Sequence, residues 1–288
     1  MTKISPPTTT PTGNAQPIGV FDSGIGGLSV LRHIRECLPH EDLLYFADSG
    51  FAPYGGKPEA DIITRTLAIA SFLVHQQHAK ALVVACNTAT AASIKALREH
   101  YPNLPVVGVE PGLKPAAART KSHTVGVLAT ERTLSSSKFN QLREQITAAT
   151  GVKFITQACI GLADQIEKGE LQSNATALLL RRYLTPLYEQ GADTIVLGCT
   201  HYPFVHPLIE SIWQQLTQQS IALIDTGEAV ARQLERLVNH HAIKNVSQMK
   251  GQLQGFTSGS KTSLESAFTL LLKMQAASVN VRVVASTP

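Results

Sequence analysis

The sequence has no apolar run that approaches the roughly 18 residues of a membrane-spanning helix, so we expect no membrane segment. Residues 1–16 are rich in Thr and Pro and lack the apolar core of a signal peptide. We therefore expect a disordered tail over residues 1–16 and a cytoplasmic location. The net charge is only +4 and there is no Lys/Arg tract, so nothing supports nucleic-acid binding.

Cysteine is scarce in this chain, and the four residues present are Cys37, Cys86, Cys159 and Cys199. None of them forms a CxxC pair, and no His/Cys cluster has the spacing of zinc ligands, so we expect no metal site. In a reducing compartment a free thiol is either an inert core residue or a reactive group. The surroundings of each cysteine must decide between these two.

Short runs rich in Val, Ile and Leu alternate with longer segments of helical periodicity. Continuous apolar strands, each followed by a helix, are typical of a parallel sheet that helices cover on both faces. The sequence therefore predicts a doubly wound α/β fold. The predicted strands are Ile18–Phe21, Leu43–Phe46, Ala81–Ala85, Val106–Val109, Thr124–Leu128, Lys153–Thr156, Thr194–Leu197 and Ile221–Ile224.

The two halves of the chain correspond weakly to each other. Cys86 follows the third strand counted from Ile18, and Cys199 follows the third strand counted from Thr124. We therefore predict two lobes related by pseudo-symmetry, with the binding cleft between the strand edges that carry these cysteines. The predicted lobes are residues 17–112 with 221–288, and residues 113–220.

Cys86 comes immediately before a predicted helix, which Asn87 or Thr88 is expected to cap. A helix N-terminus lowers the pKa of a thiol, and its free N–H groups can hold a carboxylate. Cys199 has a second advantage, because His201 titrates near neutrality and can exchange a proton with the thiol. Both cysteines are therefore candidates for reactive groups, although inert burial is the alternative for each.

A glycine-rich turn, Asp22–Gly27, follows the first predicted strand. Ser29 stands where the dinucleotide fingerprint needs its third glycine, and the turn lacks the Lys of a phosphate-binding P-loop. The turn offers Asp22, Ser23 and backbone donors to a small polar ligand, or it is only a helix cap. Tyr54, in a Pro/Gly-rich loop after the second predicted strand, either closes over a substrate or anchors that loop.

The motifs in these segments, their order along the chain and their position at strand ends closely resemble those of the glutamate racemases of the aspartate/glutamate racemase superfamily. The resemblance extends from about Pro17 to the segment Phe256–Gly259. It implies a cofactor-independent racemase that interconverts L- and D-glutamate and supplies D-glutamate for peptidoglycan. The motifs are DSGIGG at Asp22–Gly27, PYG at Pro53–Gly55, ACNTA at Ala85–Ala89 and GCTHYP at Gly198–Pro203.

The resemblance implies that Cys86 and Cys199 are the two acid/base residues. Inversion removes a proton from one face of the α-carbon and returns a proton to the other face, which a single base does poorly. Asp22 is then expected to assist Cys86, and His201 to assist Cys199. Glu167 matches a family glutamate near this histidine. Ile160 departs from the family pattern, which commonly has a proline after the preceding cysteine.

Further site residues and partners are implied by the same resemblance. The family uses no pyridoxal phosphate, metal or nucleotide, and its members are often dimers. Some members carry an N-terminal extension and respond to a peptidoglycan precursor, so an effector of that kind is a possibility for this chain. The implied substrate contacts are Asp22, Ser23, Tyr54, Gly55, Asn87, Thr88, Thr130, Thr133, Thr200 and His201.

Three other functions stay open at this point. An aspartate racemase would share the same cysteines, because residue types do not reveal the length of the substrate. A non-catalytic, two-lobed amino-acid-binding protein would need no reactive thiol at either strand end. A hydrolase with a cysteine nucleophile would need only one essential cysteine and its histidine. The interpretation of Cys37 and Cys159 is that both are structural.

Overall fold

The computed structural model describes residues 13–275 and 278–284. Within these ranges the strands form two separate sheets, and every pairing between strands is parallel. The strands are β1 (Ile18–Asp22), β2 (Leu43–Ala47), β3 (Ala81–Val84), β4 (Val106–Gly108), β5 (Thr124–Ala129), β6 (Lys153–Ala158), β7 (Thr194–Gly198), β8 (Ala222–Ile224), β9 (Leu253–Thr257) and β10 (Asn280–Val283).

Four strands of each sheet follow the same spatial order. The first sheet runs β2-β1-β3-β4, with β9 and then β10 added beyond β2, and the second runs β6-β5-β7-β8. The prediction of two doubly wound α/β lobes related by pseudo-symmetry is therefore confirmed. Cys86 follows β3 and Cys199 follows β7, so the two cysteines stand at equivalent strand ends.

Helices connect consecutive strands and cover both faces of each sheet. A π-helical turn, Phe72–Gln76, extends the second helix. The helices are α1 (Leu28–Cys37), α2 (Glu59–Ser71), α3 (Asn87–His100), α4 (Leu113–Arg119), α5 (Glu131–Ser135), α6 (Ser137–Thr150), α7 (Leu162–Glu167), α8 (Asn174–Glu189), α9 (His206–Leu216), α10 (Gly227–His240) and α11 (Lys261–Leu272).

Apolar side chains of the first sheet alternate between cores on its two faces. In β2, Leu43 and Tyr45 pack with α1, α10 and α11, whereas Leu44 and Phe46 pack with α2 and α3. Burial of both faces explains why the strands are continuous apolar runs in the sequence. Among the described residues, no helix is both long enough and apolar enough to cross a membrane.

The predicted return to the first lobe at Ile221 comes too early. Ala222–Ile224 forms β8, which pairs with β7 and takes the place in the second sheet that β4 takes in the first. The chain therefore crosses back after this strand, and α10 then packs against α1. The strands β9 and β10 complete the first sheet and were not predicted from the sequence.

The N-terminal tail was predicted to be disordered over residues 1–16. Gly13–Ala15 forms one turn of 3-10 helix, and the carbonyl of Asn14 accepts a hydrogen bond from the buried Lys80 ammonium at 2.5 Å. This end of the tail is therefore folded against the first lobe. Residues 1–12 lie outside the described part of the chain.

Candidate active site

Loops at the carboxyl ends of strands from both sheets surround one cavity of about 220 Å³. This volume suits a small metabolite, because pockets for drug-sized ligands enclose roughly 300–1,000 Å³. All of the predicted site residues line the cavity except Asp22 and Thr133, and Gly55 does so with its backbone because it has no side chain. The polar or ionisable side chains that line it are Ser23, Tyr54, Cys86, Asn87, Thr88, Thr130, Glu131, Cys159, Asp164, Glu167, Cys199, Thr200 and His201.

Cys86 is itself the N-cap of α3, so the prediction that Asn87 or Thr88 caps this helix is wrong. Its Sγ accepts a hydrogen bond from the Ala89 N–H at 3.4 Å and donates to the Ser23 Oγ at 3.6 Å. The predicted lowering of its pKa is also wrong. Burial and then the charge of a nearby carboxylate raise the pKa of Cys86, and the helix N-terminus does not outweigh them. Burial therefore favours the thiol form of Cys86 in the unliganded protein.

Cys199 faces the cavity from the opposite lobe, beside an imidazole. Its Sγ lies 3.6 Å from Nδ1 of His201, and Nε2 of the same ring lies 2.7 Å from Oε2 of Glu167. Glu167 ends α7, and Cys199 and His201 follow β7. The predicted placement of Glu167 near His201 is confirmed. The three side chains form a line from carboxylate through imidazole to sulfur.

This line of groups holds a proton on the histidine. Burial lowers the pKa of His201, but hydrogen bonds to Cys199 and Glu167 and the charges of both outweigh burial and raise that pKa well above its usual value. Burial raises the pKa of Glu167, yet its hydrogen bond and ion pair with His201 bring the net pKa below its usual value. We infer an imidazolium between a carboxylate and the sulfur of Cys199.

Asp22 is fully buried at the end of β1. Its Oδ2 accepts hydrogen bonds from the N–H groups of Gly24 at 3.2 Å and Gly27 at 3.0 Å, and its Oδ1 accepts one from the Thr200 hydroxyl at 3.4 Å. Burial raises the pKa of Asp22. Among the described contacts no hydrogen bond joins Asp22 to Cys86, so Asp22 acts on that thiol through its charge.

The hydroxyl of Tyr54 supports its interpretation as a loop anchor. The hydroxyl donates to Oδ2 of the buried Asp48 at 2.7 Å. Asp48 also accepts from Nε and Nη2 of Arg65, at 2.8 and 2.6 Å, and from the Ser258 hydroxyl at 2.6 Å. Tyr54 still lines the cavity. Asp48 therefore fixes the loop after β2 as one wall of the site.

We expect Tyr54→Phe to lower the free energy of unfolding by about 2 kcal/mol, because a buried carboxylate loses one of its donors. Tyr183→Phe is the matched control, since the Tyr183 hydroxyl donates to a neutral acceptor, the Ile160 carbonyl, at 2.6 Å. Its expected loss is about 1 kcal/mol. Urea unfolding of both variants measures the difference. Equal losses would mean that Asp48 does not depend on this hydroxyl.

Two threonines meet across the cleft. Thr130, the N-cap of α5, donates to the Thr133 hydroxyl at 3.0 Å, and its own oxygen lies 3.0 Å from the Thr88 hydroxyl of the other lobe. Thr88 and Thr130 line the cavity, whereas Thr133 lies behind Thr130. Of these two implied substrate contacts, Thr130 is therefore placed to meet a ligand, and Thr133 supports Thr130 from behind.

Sequence reasoning missed the lining residues Cys159 and Ile160, as well as the acidic lining residues Glu131 and Asp164. Cys159 was interpreted as structural, but it is buried against the cavity at the end of β6. Its position immediately after a strand was the available signal. Ile160, next along the chain, lines the cavity although it is 65% exposed. Cys37 agrees with its structural interpretation, because its thiol donates to Glu235 at 3.2 Å and burial and that contact raise its pKa to about 11.

The charge of the cavity lining is mostly negative. Among the lining side chains only His201 can carry a positive charge, whereas Glu131, Asp164 and Glu167 are acidic. An anionic ligand must therefore be held chiefly by hydroxyl, amide and backbone N–H donors. Within residues 13–275 and 278–284, no group of three or more His, Cys, Asp or Glu side chains is arranged to hold a metal ion.

Known proteins match this chain over most of its length. A family model described as Asp/Glu/Hydantoin racemase matches residues 18–234. The chain is 52% identical over 260 residues to a glutamate racemase of Ectopseudomonas mendocina (strain ymp), a match that covers 90% of this chain and 96% of that protein.

Solved structures agree with the sequence matches. The fold is similar to glutamate racemase isoform RacE1 from Bacillus anthracis, with a TM-score of 0.81 and 32% identity over 94% of this chain and 98% of that chain. It is also similar to Escherichia coli glutamate racemase in complex with L-glutamate and the activator UDP-MurNAc-Ala, with a TM-score of 0.78 and 31% identity over 94% and 100% of the two chains. Because the family match includes both cysteine-bearing strand ends, this chain belongs to the Asp/Glu/Hydantoin racemase family.

Proposed function

We propose that this protein is a glutamate racemase that interconverts L- and D-glutamate with two cysteines as proton carriers. One observation supports this most directly: Cys86 and Cys199, from equivalent strand ends of two different lobes, line the same cavity. A carbon atom bound between the lobes can then meet one sulfur on each face. The relatives named as glutamate racemases support the choice of substrate.

The reaction moves one proton onto a sulfur and another off a sulfur. The thiolate on one side takes the α-proton, and the electron pair left on carbon delocalises into the α-carboxylate. The thiol on the other side then gives its proton to the opposite face, so the two cysteines exchange protonation states. For one enantiomer Cys86, with its raised pKa, is the thiol that donates its proton, and Cys199, whose Sγ lies 3.6 Å from Nδ1 of His201, is the sulfur that accepts the α-proton.

The substrate carboxylates are expected to bind neutral donors. Hydroxyl groups of Ser23, Thr88, Thr130 and Thr200 and the amide of Asn87 line the cavity, and the first turn of α3 offers backbone N–H groups. Such oriented dipoles also stabilise the charge that develops on the α-carboxylate when the proton leaves. The same hydroxyl, amide and backbone N–H groups therefore bind the substrate and stabilise the charge that forms during the reaction.

Turnover of L-glutamate in D₂O tests this function. We expect the optical signal to decay to zero and the D-glutamate formed to carry deuterium on its α-carbon, because its new hydrogen comes from a thiol that exchanges with solvent. Circular dichroism and proton NMR measure the two quantities. If glutamate keeps its α-proton throughout the incubation, the chain is a binding protein. Release of a hydrolysis product would point to a cysteine hydrolase.

Aspartate is the control substrate in the same assay, because it is one methylene shorter. A cavity that fits glutamate is expected to turn aspartate over at least about tenfold more slowly. Faster turnover of aspartate would make the chain an aspartate racemase with the same mechanism.

We further propose that the protein acts in the cytoplasm as a homodimer, and that a peptidoglycan precursor activates it. The E. coli relative, whose structure holds the activator UDP-MurNAc-Ala, supports the precursor. Assays with and without UDP-MurNAc-Ala, together with the molecular mass in solution, test the effector and the dimer.

A further inference from the structure

Ser29 occupies the place where the glycine motif lacks its third glycine. It lies in the first turn of α1, is 4% exposed, and points its hydroxyl toward two carbonyl groups. The Gly26 carbonyl, 2.9 Å away, belongs to the same turn, whereas the Thr200 carbonyl, 2.8 Å away, belongs to the second lobe. Thr200 stands between Cys199 and His201. The Ser29 hydroxyl therefore connects the first lobe to the backbone that carries these two groups.

The turn before Ser29 is shaped to receive the second lobe. A Cβ on Gly24 would overlap the carboxylate of Glu167, and a Cβ on Gly26 would overlap the imidazole of His201. The Ile25 N–H also donates to both oxygens of Glu167, at 3.2 and 3.1 Å. Gly24 and Gly26 therefore allow the two lobes to approach closely. In dinucleotide-binding folds, glycines at a similar spacing allow the backbone to approach a phosphate.

We propose that Ser29 is a positioning residue, whose hydrogen bond to the Thr200 carbonyl holds Cys199 at the separation from Cys86 that inversion requires. The proposal rests on the two-cysteine reaction proposed above. Ser29 does not line the cavity, so it acts through the loop that bears Cys199 and not through the substrate. Removal of its hydroxyl leaves the buried Thr200 carbonyl without this donor, and we expect the loop to shift as a result.

Ser29→Ala is expected to lower kcat by about tenfold in both directions, because a small misplacement of a reacting group is costly in rate. KM for glutamate is expected to change less than about twofold, since no residue that lines the cavity is replaced. Ser29→Thr keeps a hydroxyl and is expected to restore most of kcat. Ser93→Ala is the matched control, because among the described contacts the fully buried Ser93 hydroxyl bonds only within its own helix, to the Ala89 carbonyl at 2.6 Å.

A second measurement reads the position of the lobes without using activity. Cys86 and Cys199 are 5% and 8% exposed, so both are shielded from iodoacetamide while the lobes are closed. Ser29→Ala is expected to raise their alkylation rates several-fold, as resolved for each residue by mass spectrometry. Cys37, half-buried in α1 and remote from the cleft, is the internal reference and is expected to keep its rate.

The two measurements separate the possible outcomes. A fall in kcat with unchanged KM, rescue by Ser29→Thr and faster alkylation of the cleft cysteines would support the proposal. Wild-type kcat in Ser29→Ala, a loss that matches the loss of folded protein, or equal impairment of Ser29→Thr would overturn it. If the wild-type protein does not racemise glutamate, the proposed function fails, while unchanged alkylation rates in Ser29→Ala would separately overturn the role of Ser29.

Discussion

Cys86→Ala and Cys199→Ala are each expected to lower racemisation by about 1,000-fold or more, in both directions. Each substitution removes the proton carrier from one face of the α-carbon, so inversion cannot be completed from either enantiomer. The measurement is the initial rate with L-glutamate and with D-glutamate, followed by circular dichroism. Loss in one direction only is not an allowed outcome, because both directions pass through the same two sulfurs.

Cys37→Ala is the control for the loss of a thiol elsewhere. Its thiol contacts Glu235 and lies outside the cavity, so racemisation is expected to be unaffected. Urea unfolding of all three variants shows whether the fold is intact. Full activity in either Cys86→Ala or Cys199→Ala, with an intact fold, would rule out the two-cysteine mechanism.

His201→Asn is expected to lower kcat by about 100-fold, because the sulfur of Cys199 loses the cation that faces it. The amide of Asn occupies part of the same space without taking up a proton. Deuterium incorporation and kcat in both directions are the measurements. A variant with unchanged kcat would mean that the imidazole has no part in proton transfer at Cys199.

The pH profile gives a sharper test of the same groups through Glu167→Gln. The raised pKa of His201 keeps it protonated as pH rises past 6.5. Removal of the Glu167 charge takes away one cause of this shift, so His201 loses its proton at a lower pH. The alkaline limb of kcat/KM is therefore expected to move to lower pH. An alkaline limb at the wild-type position would contradict this role.

Glu210→Gln is the matched control, because Glu210 pairs with His206 at 3.4 Å on the exposed surface. It is expected to leave the profile unchanged.

The pKa shifts of His201 and Glu167 also make the stability of the fold depend on pH. The raised pKa of His201 contributes stability that is lost as pH rises through that pKa, and the lowered pKa of Glu167 contributes stability that is lost as pH falls through its own. The pair therefore stabilises the fold most between these limits.

The sequence predicted the elements of the fold well, because each depends on local pattern. The eight predicted strands are all present. Most of them are apolar runs of four or five residues, which reflect sheets buried on both faces. The strand β9 escaped notice because its segment, Leu253–Thr257, carries glycine and glutamine among its apolar residues. The predicted boundary at Ile221 is wrong because β8 pairs with β7, and the local sequence pattern does not reveal which strand a segment pairs with.

Within the site, the sequence predicted which residues meet but not how their environment acts on them. Cys86 precedes a helix as expected, yet its pKa rises because burial outweighs the helix N-terminus, and the depth of burial depends on both lobes. The role of Asp48 was equally hidden, since its partners Arg65 and Ser258 come from α2 and from the end of β9. Such contacts exist only after the chain is folded.

The equivalent strand ends of the two sulfurs, together with their unlike neighbours, have a thermodynamic consequence. L- and D-glutamate have the same free energy in water, so kcat/KM must be identical for the two enantiomers, however differently the sulfurs are surrounded. A hydroxyl beside Cys86 and an imidazolium beside Cys199 can therefore show only as compensating inequalities, with a larger kcat matched by a larger KM for the same enantiomer. The asymmetry of the protein can thus change the separate values of kcat and KM for each enantiomer, but not the ratio of the two.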